Sequence, residues 1–199
     1  MFKFLRLLHI YASMAVVVAL VFYAITGITL NHPEWQSSVG QQSQAIALQL
    51  PVALQTLSFG DDALHNAAAA SQIADWLRES QQVQGAVFNF NYDNEGQVLE
   101  LDFKRPAGFA TAEIAIATGT VQLTTEYAGF LALLNDLHKG RYAGTSWRWF
   151  SDAVAAACLM FAISGFYLLW RQPSRRLHGV ATAAVGVLVL LLAYALALH

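Results

Sequence analysis

The chain has 199 residues, of which 56% are hydrophobic and only 12% are charged, and its mean hydropathy is +0.44. This composition excludes an ordinary soluble domain and is typical of a membrane protein. The formal net charge of −2 argues against nucleic acid as a partner, because nucleic-acid binding depends on a basic surface.

The first apolar segment runs from about Leu7 to Leu30 and contains no Asp, Glu, Lys or Arg. Lys3 and Arg6 precede it, but the run is longer than the apolar region of a signal peptide and lacks a small-residue cleavage site. We therefore interpret residues 1–32 as a cytoplasmic N-terminus and a retained first transmembrane helix, since about 20 helical residues cross a membrane.

The central segment, residues 33–146, is charged throughout and long enough for one small domain. We interpret QSSVGQQSQAIALQLP as a polar linker and SQIADWLRES as a helix with one apolar face. GAVFNFNY and QVLELDF alternate as half-buried strands do, with the turn DNEG between them. AEIAIATGTVQLTT predicts a second hairpin that turns at Thr118-Gly119.

A membrane-proximal helix is predicted at residues 126–139, where apolar residues recur at intervals of three and four. Gly140 is its predicted C-cap. Residues 147–171 and 177–199 are the second and third predicted transmembrane helices, separated by a cytoplasmic loop at residues 172–176. The fold class is a membrane protein with three transmembrane α-helices and one small periplasmic α+β domain.

Charge placement predicts the orientation. All thirteen acidic residues fall between Glu34 and Asp152, together with six basic residues, whereas the flanking segments hold five basic residues and no acid. The positive-inside rule therefore places the N-terminus and the RQPSRR loop in the cytoplasm. The central domain is then periplasmic, and the chain lies in a bacterial inner membrane.

Four of the six histidines lie at predicted membrane boundaries: His9, His32, His138 and His178. His65 is interpreted as a surface residue and His199 as a solvated tail. A boundary histidine can simply extend its polar tip to the lipid headgroups, and for any single one this explanation is as good as ligation. Polar groups at membrane depth are nevertheless costly and point to function.

Two imidazoles in an apolar setting, with no thiol, suit a b-type haem better than zinc. His9 and His32 are 23 residues apart, about 34 Å along a helix, so one helix would offer a ligand at each membrane face. We therefore predict two bis-histidine b-type haems, with His32 paired with His138 and His9 with His178. Asn31 or Asp136 would satisfy the second ring nitrogen on the outer side.

Basic residues near these histidines could bind haem propionates. Arg141 and Lys139 would serve the outer haem, and Arg175, with Lys3, Arg6 or Arg176, the inner one. The cytoplasmic basic residues also set the topology of the chain, and that role by itself is sufficient to explain their presence.

The motifs LHIYASM, GITLNHPEW, FLALLNDLHKGR and SGFYLLWRQPSRR resemble the PepSY-associated transmembrane-helix family, and the likeness covers nearly the whole chain. The resemblance implies that the central domain is a single PepSY-like unit and that the four boundary histidines bind haem. Larger members resemble haem-containing siderophore reductases, and shorter ones often accompany periplasmic flavin-bearing or iron-uptake proteins.

Two functions follow as expectations. The first is an electron-transfer protein that passes electrons across the membrane to a periplasmic flavoprotein or a ferric chelate, with the quinol pool as a possible donor. No nucleotide-binding fingerprint is present, so the donor is another molecule. The second is a non-redox, membrane-anchored PepSY module that binds or regulates a periplasmic partner. Whether the chain is itself a ferric reductase stays open, and a homodimer is compatible with either function.

A reporter fused after His199 tests the orientation. We expect a reporter that is active only in the periplasm to be active there, because the charge asymmetry places the C-terminus outside. Activity of a cytoplasm-only reporter at the same position would contradict the orientation and would move His178 to the other face.

Overall fold

The computed structural model describes residues 2–35, 40–60, 62–85 and 87–198. Three helices are long and apolar enough to cross a membrane: α1 (Phe2–Asn31), α5 (Thr145–Trp170) and α6 (Pro173–Ala197). Their apolar side chains are largely exposed in the isolated chain, as lipid-facing helices require. The three predicted spans are confirmed. His199 and the QSSV part of the predicted linker lie outside the described residues.

Prolines set two of the helix ends. Helix α1 stops at Asn31, and Pro33 opens a short 3₁₀ turn at Pro33–Trp35, because a residue before proline disfavours the α conformation. Pro173 occupies the first turn of α6, where its missing N–H has no cost. Helix α6 therefore begins four residues earlier than the predicted start at residue 177.

The central domain contains a five-stranded antiparallel sheet in the order β1-β5-β4-β3-β2. Both predicted hairpins are confirmed, the second with its turn at Thr118-Gly119. A third tight turn, Arg105–Gly108, joins them into a meander. The strands are β1 (Gln42–Gln49), β2 (Val87–Asp93), β3 (Val98–Arg105), β4 (Gly108–Ala115) and β5 (Thr120–Tyr127).

The interpretation of residues 36–51 as a polar linker was wrong for strand β1. Gln42–Gln49 pairs with the whole length of β5. Ile46 and Leu48 lie opposite Leu123 and Val121 and pack against the core. Two large apolar residues in a glutamine-rich stretch are a weak strand signal, and the residues opposite Ile46 and Leu48 lie 77 and 73 positions later in the chain.

The membrane-proximal helix is shorter than predicted. Glu126 and Tyr127 belong to β5, and helix α4 is Phe130–Lys139. Gly129 and Gly140 flank it, and Gly140 adopts a left-handed conformation (φ 64°) as the C-cap, which confirms that prediction. Pairing with β1 on one side and with β4 on the other therefore outweighs the helical periodicity at the first two residues.

One face of the sheet is covered by helix α3 (Ala63–Gln81). Ile73 and Leu77 of α3 are fully buried and belong to the same core as Leu99, Leu101 and Phe103 of β3. Trp76 packs at the margin of this core. The short helix α2 (Val52–Gln55) connects β1 to the segment before α3. The helix and the sheet together bury the apolar face of the sheet.

The chain divides into two compact units, Phe22–Phe150 and Met1–Val21 together with Ser151–His199. The first unit contains the sheet, α3, α4 and the adjoining parts of α1 and α5. The second contains the remainder of α1 and α5 with all of α6.

Replacing Leu101 by Ala tests the core. Leu101 has no exposed surface, so the substitution should lower the free energy of unfolding of the central domain by about 2–5 kcal/mol. Glu100→Ala, at the neighbouring exposed position, should change it by less than about 0.5 kcal/mol. Thermal unfolding followed by far-ultraviolet circular dichroism measures both, and equal losses would contradict the assigned strand faces.

Candidate functional site

In the unit Phe22–Phe150, His138 lies in the last turn of α4 and packs against α1. Its Nδ1 is 2.5 Å from the Thr26 hydroxyl oxygen, and its ring contacts the Tyr23 ring edge-on at 5.0 Å. Gly27 lies beneath the ring, where an added Cβ would be 3.8 Å from its Cε1. The ring is therefore held between an aromatic side chain and a buried hydroxyl.

Helix α4 is bound to three other elements by polar contacts. The Asn135 side-chain amide oxygen accepts a hydrogen bond from Thr29 of α1 at 2.7 Å. The Asp136 carboxylate accepts one from the backbone N–H of Ala107, in the β3–β4 turn, at 2.9 Å. The Trp147 indole of α5 donates to the carbonyl of Leu137 at 2.9 Å. These bonds fix the position of His138 relative to the sheet.

His32 immediately follows α1, and its ring is organised by its own neighbours. Nδ1 is 2.8 Å from a carboxylate oxygen of Glu34, and the ring stacks on Trp35 with 4.2 Å between centroids. Its side chain is 45% exposed. The neighbouring proline positions both partners, because the turn Pro33–Trp35 folds back beside the histidine.

His32 and His138 are not in contact. His138 packs against residues 23–27 of α1, and His32 follows Gly27 by five residues, about 7.5 Å along a helix. The predicted second-nitrogen partners were wrong for both rings. Thr26 and Glu34 take that role, whereas Asp136 bonds to Ala107.

In the unit formed by Met1–Val21 and Ser151–His199, His9 of α1 packs on α5. Its Nδ1 is 3.0 Å from the Ser164 hydroxyl and 3.2 Å from the carbonyl of Phe161. The ring stacks on Phe161 at 4.7 Å. A Cβ at Gly165 would lie 3.0 Å from the His9 ring, so a glycine at this position lets the imidazole approach the helix backbone.

His178 lies exposed in the second turn of α6. Within the described ranges its side chain has no partner; only its carbonyl accepts a bond, from Thr182. The next residue, Gly179, faces Leu169 of α5, five residues beyond Ser164, or about 7.5 Å along the helix. Among the described residues, no hydrogen bond or ring contact joins His9 and His178.

The same nitrogen is engaged in three of the four boundary histidines. His9, His32 and His138 all use Nδ1, and no partner of Nε2 is found among the described residues. A carbonyl or carboxylate can only accept, so Nδ1 carries a proton in His9 and His32. When such a ring is neutral, Nε2 is the nitrogen that keeps its lone pair. His65 is the opposite case: its Nε2 bonds to Ser58.

The two arginines assigned to propionates are both exposed. Arg141 follows the C-cap of α4, where its N–H donates to the carbonyl of Asp136. Arg175 lies in the first turn of α6. Neither guanidinium forms an ion pair within the described part of the chain. Arg176, the neighbouring candidate, instead stacks over Trp170 at 5.1 Å.

A pocket beside α4 was not predicted from the sequence. It has a volume of about 490 Å³ and opens at the end of the sheet. Lys104 lies over the Tyr142 ring, and Arg105 over the Tyr127 ring, in its walls. Asp136, two residues before His138, also lines it. Only the meander brings these residues together, so no local pattern could have indicated the pocket.

Within the described ranges no three His, Cys, Asp or Glu side chains converge as a metal-binding group, whereas a haem needs only two axial ligands. A family model described as Putative PepSY_TM-like matches residues 2–199. No curated protein and no solved structure gave a match. The family match thus covers the spans and the central domain alike.

Replacing Asp136 by Ala tests how α4 is held. Ala107 is buried and has a φ of 59°, so loss of the carboxylate leaves a buried N–H unsatisfied. We expect a loss of about 1–3 kcal/mol in the free energy of unfolding.

A second substitution, Ala107→Gly, should recover about 1 kcal/mol in the Asp136→Ala background, because glycine adopts positive φ without strain. Asp93→Ala is the matched control. Asp93 also accepts from a backbone N–H, that of Glu95 at 3.0 Å, but at an exposed turn where water can replace it. A loss equal to that of Asp136→Ala would contradict the role assigned to Asp136.

Proposed function

This chain belongs to the PepSY_TM-like family, and on that premise we propose that it is a membrane electron-transfer protein whose boundary histidines bind b-type haem. The observation that carries the proposal is the shared state of His9, His32 and His138. Each ring is anchored through Nδ1 and leaves Nε2 without a partner in the described structure. A metal-ligating histidine has this arrangement, since the bond to the second nitrogen fixes the tautomer and the orientation of the ring.

The donor set fits a haem. Two neutral imidazoles are a common axial pair, and the apolar helices α1, α5 and α6 offer low-polarity walls for a macrocycle. Within the unit Phe22–Phe150 the pair would be His32 and His138. Within the other unit the pair would be His9 and His178. Each pair draws one ligand from α1 or its end and one from another helix.

A bound b-type haem supplies a one-electron couple that the side chains of the protein lack. The chain's own residues hold and orient the ligand nitrogens through Thr26, Glu34 and Ser164. Arg141 and Arg175 are free to neutralise carboxylates near the two pairs. The apolar, lipid-facing helices would limit the access of water to a bound haem and so influence its redox potential.

We further propose that the membrane is a bacterial inner membrane, with the N-terminus cytoplasmic and the central domain periplasmic, as the charge asymmetry supports. The electron acceptor would be a periplasmic flavoprotein or a ferric chelate, and the quinol pool a donor. The pocket bordered by Lys104, Tyr142 and Asp136 supports an acceptor site close to His138. A second copy of the chain is a candidate partner in the membrane.

Four single His→Ala variants test the proposal in the full-length protein purified from haem-sufficient cells. His32→Ala and His138→Ala should each abolish one low-spin haem signal, and His9→Ala and His178→Ala should each abolish the other, because both ligands of a pair are needed. His65→Ala is the control and should retain all haem, since its Nε2 bonds to Ser58.

Haem content and the optical α band measure the result. Full low-spin spectra in all four variants would refute the pairing. A colourless wild-type protein would refute the electron-transfer function and favour the non-redox PepSY module that binds a periplasmic partner.

A further inference from the structure

Two buried hydroxyl groups make the same pair of contacts in the two units. Thr26 is 1% exposed and Ser164 is 3% exposed, and both lie within membrane-spanning helices. Thr26 bonds to the carbonyl of Phe22 at 2.7 Å and to Nδ1 of His138 at 2.5 Å. Ser164 bonds to the carbonyl of Phe161 and to Nδ1 of His9, each at 3.0 Å. A hydroxyl of one helix thus meets the histidine of another in each unit.

Counting protons determines the direction of these bonds. A hydroxyl has one hydrogen to donate and two lone pairs that accept. If Thr26 donates to Phe22, its oxygen can accept from the Nδ1–H of His138, and both bonds form. If Thr26 instead donates to Nδ1, the bond to Phe22 is lost. The first arrangement has one hydrogen bond more, worth about 1 kcal/mol, and it protonates Nδ1.

The same count holds for His9, with a further acceptor. Ser164 donates to the carbonyl of Phe161, and the Nδ1–H of His9 points at both the Ser164 oxygen and that carbonyl. The carbonyl cannot donate, so the ring proton is on Nδ1. Stacking on Phe161 and the contact above Gly165 hold the ring plane. The hydroxyl therefore orients a ring that is already confined.

Other hydroxyls in the same helices show that the arrangement is specific. Ser13 bonds only to the carbonyl of Ile10, its i−3 neighbour. Thr29, one turn after Thr26, bonds to Asn135 and to the carbonyl of Thr26. Satisfying a hydroxyl in an apolar helix thus does not require a histidine. Thr26 and Ser164 are buried, and the hydroxyl of each faces an imidazole of another helix.

We propose that Thr26 and Ser164 are positioning residues that hold His138 and His9 in the Nδ1–H tautomer and present Nε2 as the ligand nitrogen. The identity of the metal group rests on the proposed function, whereas the ring state is a property of the chain alone. Loss of either hydroxyl changes the tautomer of one histidine and leaves the other unaffected, since each hydroxyl contacts a single ring.

The test uses full-length protein in lipid nanodiscs, prepared without haem, with ¹⁵N-labelled histidine rings. Thr26→Val keeps the side-chain shape and removes the hydroxyl, so the ratio of Nε2–H to Nδ1–H in His138 should rise at least about fivefold, the factor equivalent to one net hydrogen bond. Thr26→Ser restores a hydroxyl and should restore the wild-type ratio. Ser164→Ala should change the His9 ratio in the same direction but by less, because the carbonyl of Phe161 still accepts from the Nδ1–H of His9.

Ser13→Ala is the matched control and should leave both ring ratios unchanged. Thr29→Val removes the hydroxyl that bonds to Asn135 of α4 but keeps the Thr26–Nδ1 bond, so it should change the His138 ratio less than Thr26→Val does. An unchanged His138 ratio in Thr26→Val, or an equal change in Thr29→Val, would overturn the proposal for Thr26. An unchanged His9 ratio in Ser164→Ala, or an equal change in Ser13→Ala, would overturn it for Ser164. Thr26 and Ser164 lie in different units. If the variant at one of these residues does not fold, the variant at the other still tests the proposal.

Haem reconstitution separates this inference from the proposed function. If the wild-type protein binds haem, Thr26→Val and Ser164→Ala should each shift the midpoint potential of one haem, while Ser13→Ala should shift neither. If the wild type binds no haem but the ring ratios respond as stated, the proposed function fails and the positioning roles stand. If haem binds and the ring ratios do not respond, only the positioning roles fail.

Discussion

A polar side chain within an apolar helix must find its hydrogen-bond partner inside the protein, because lipid offers none. This constraint organises the described part of the spans. Thr26 and Ser164 each meet a histidine, and Asn135 of α4 meets Thr29. Most apolar side chains of the spanning helices are exposed in the described residues. Specific polar contacts and close approaches at glycine therefore determine how neighbouring helices pack.

Helix α4 connects α1 to the sheet of the central domain through polar contacts. Within ten residues it carries Asn135, Asp136 and His138, which contact α1, the β3–β4 turn and α1 again. Ala107 keeps a left-handed conformation because Asp136 binds its N–H and its carbonyl accepts from Ala128. The amide nitrogen of Asn135 is buried and has no partner in the described structure. The sheet, the turn and His138 thus share one rigid support.

The four boundary histidines are not equivalent. His9 and His138 are confined by rings, glycines and buried hydroxyls, and their orientation is specified by tertiary contacts. His32 takes its partners from the next three residues, and His178 is exposed on α6. The exposure of His32 and His178 fits a ring that reaches the lipid headgroups as well as it fits a haem ligand. Confinement of an imidazole by a buried hydroxyl is not explained that way, so His9 and His138 are the stronger candidates for the proposed haem ligands.

Much of the architecture could be predicted from sequence because it depends on local pattern. Apolar length predicts the spans, alternation predicts the hairpins, and Gly140 marks the end of α4, since each signal acts within one element. Strand β1, the pocket and the ring nitrogens could not be predicted in this way. Gln42–Gln49 becomes a strand only beside β5, and the hydroxyl partners of His9 and His138 lie 155 and 112 residues away in the chain. The sequence determined which histidines lie at the predicted membrane boundaries, whereas the tertiary structure decided which ring nitrogen of His9 and His138 is engaged, because their hydrogen-bond partners come from the helix that packs alongside.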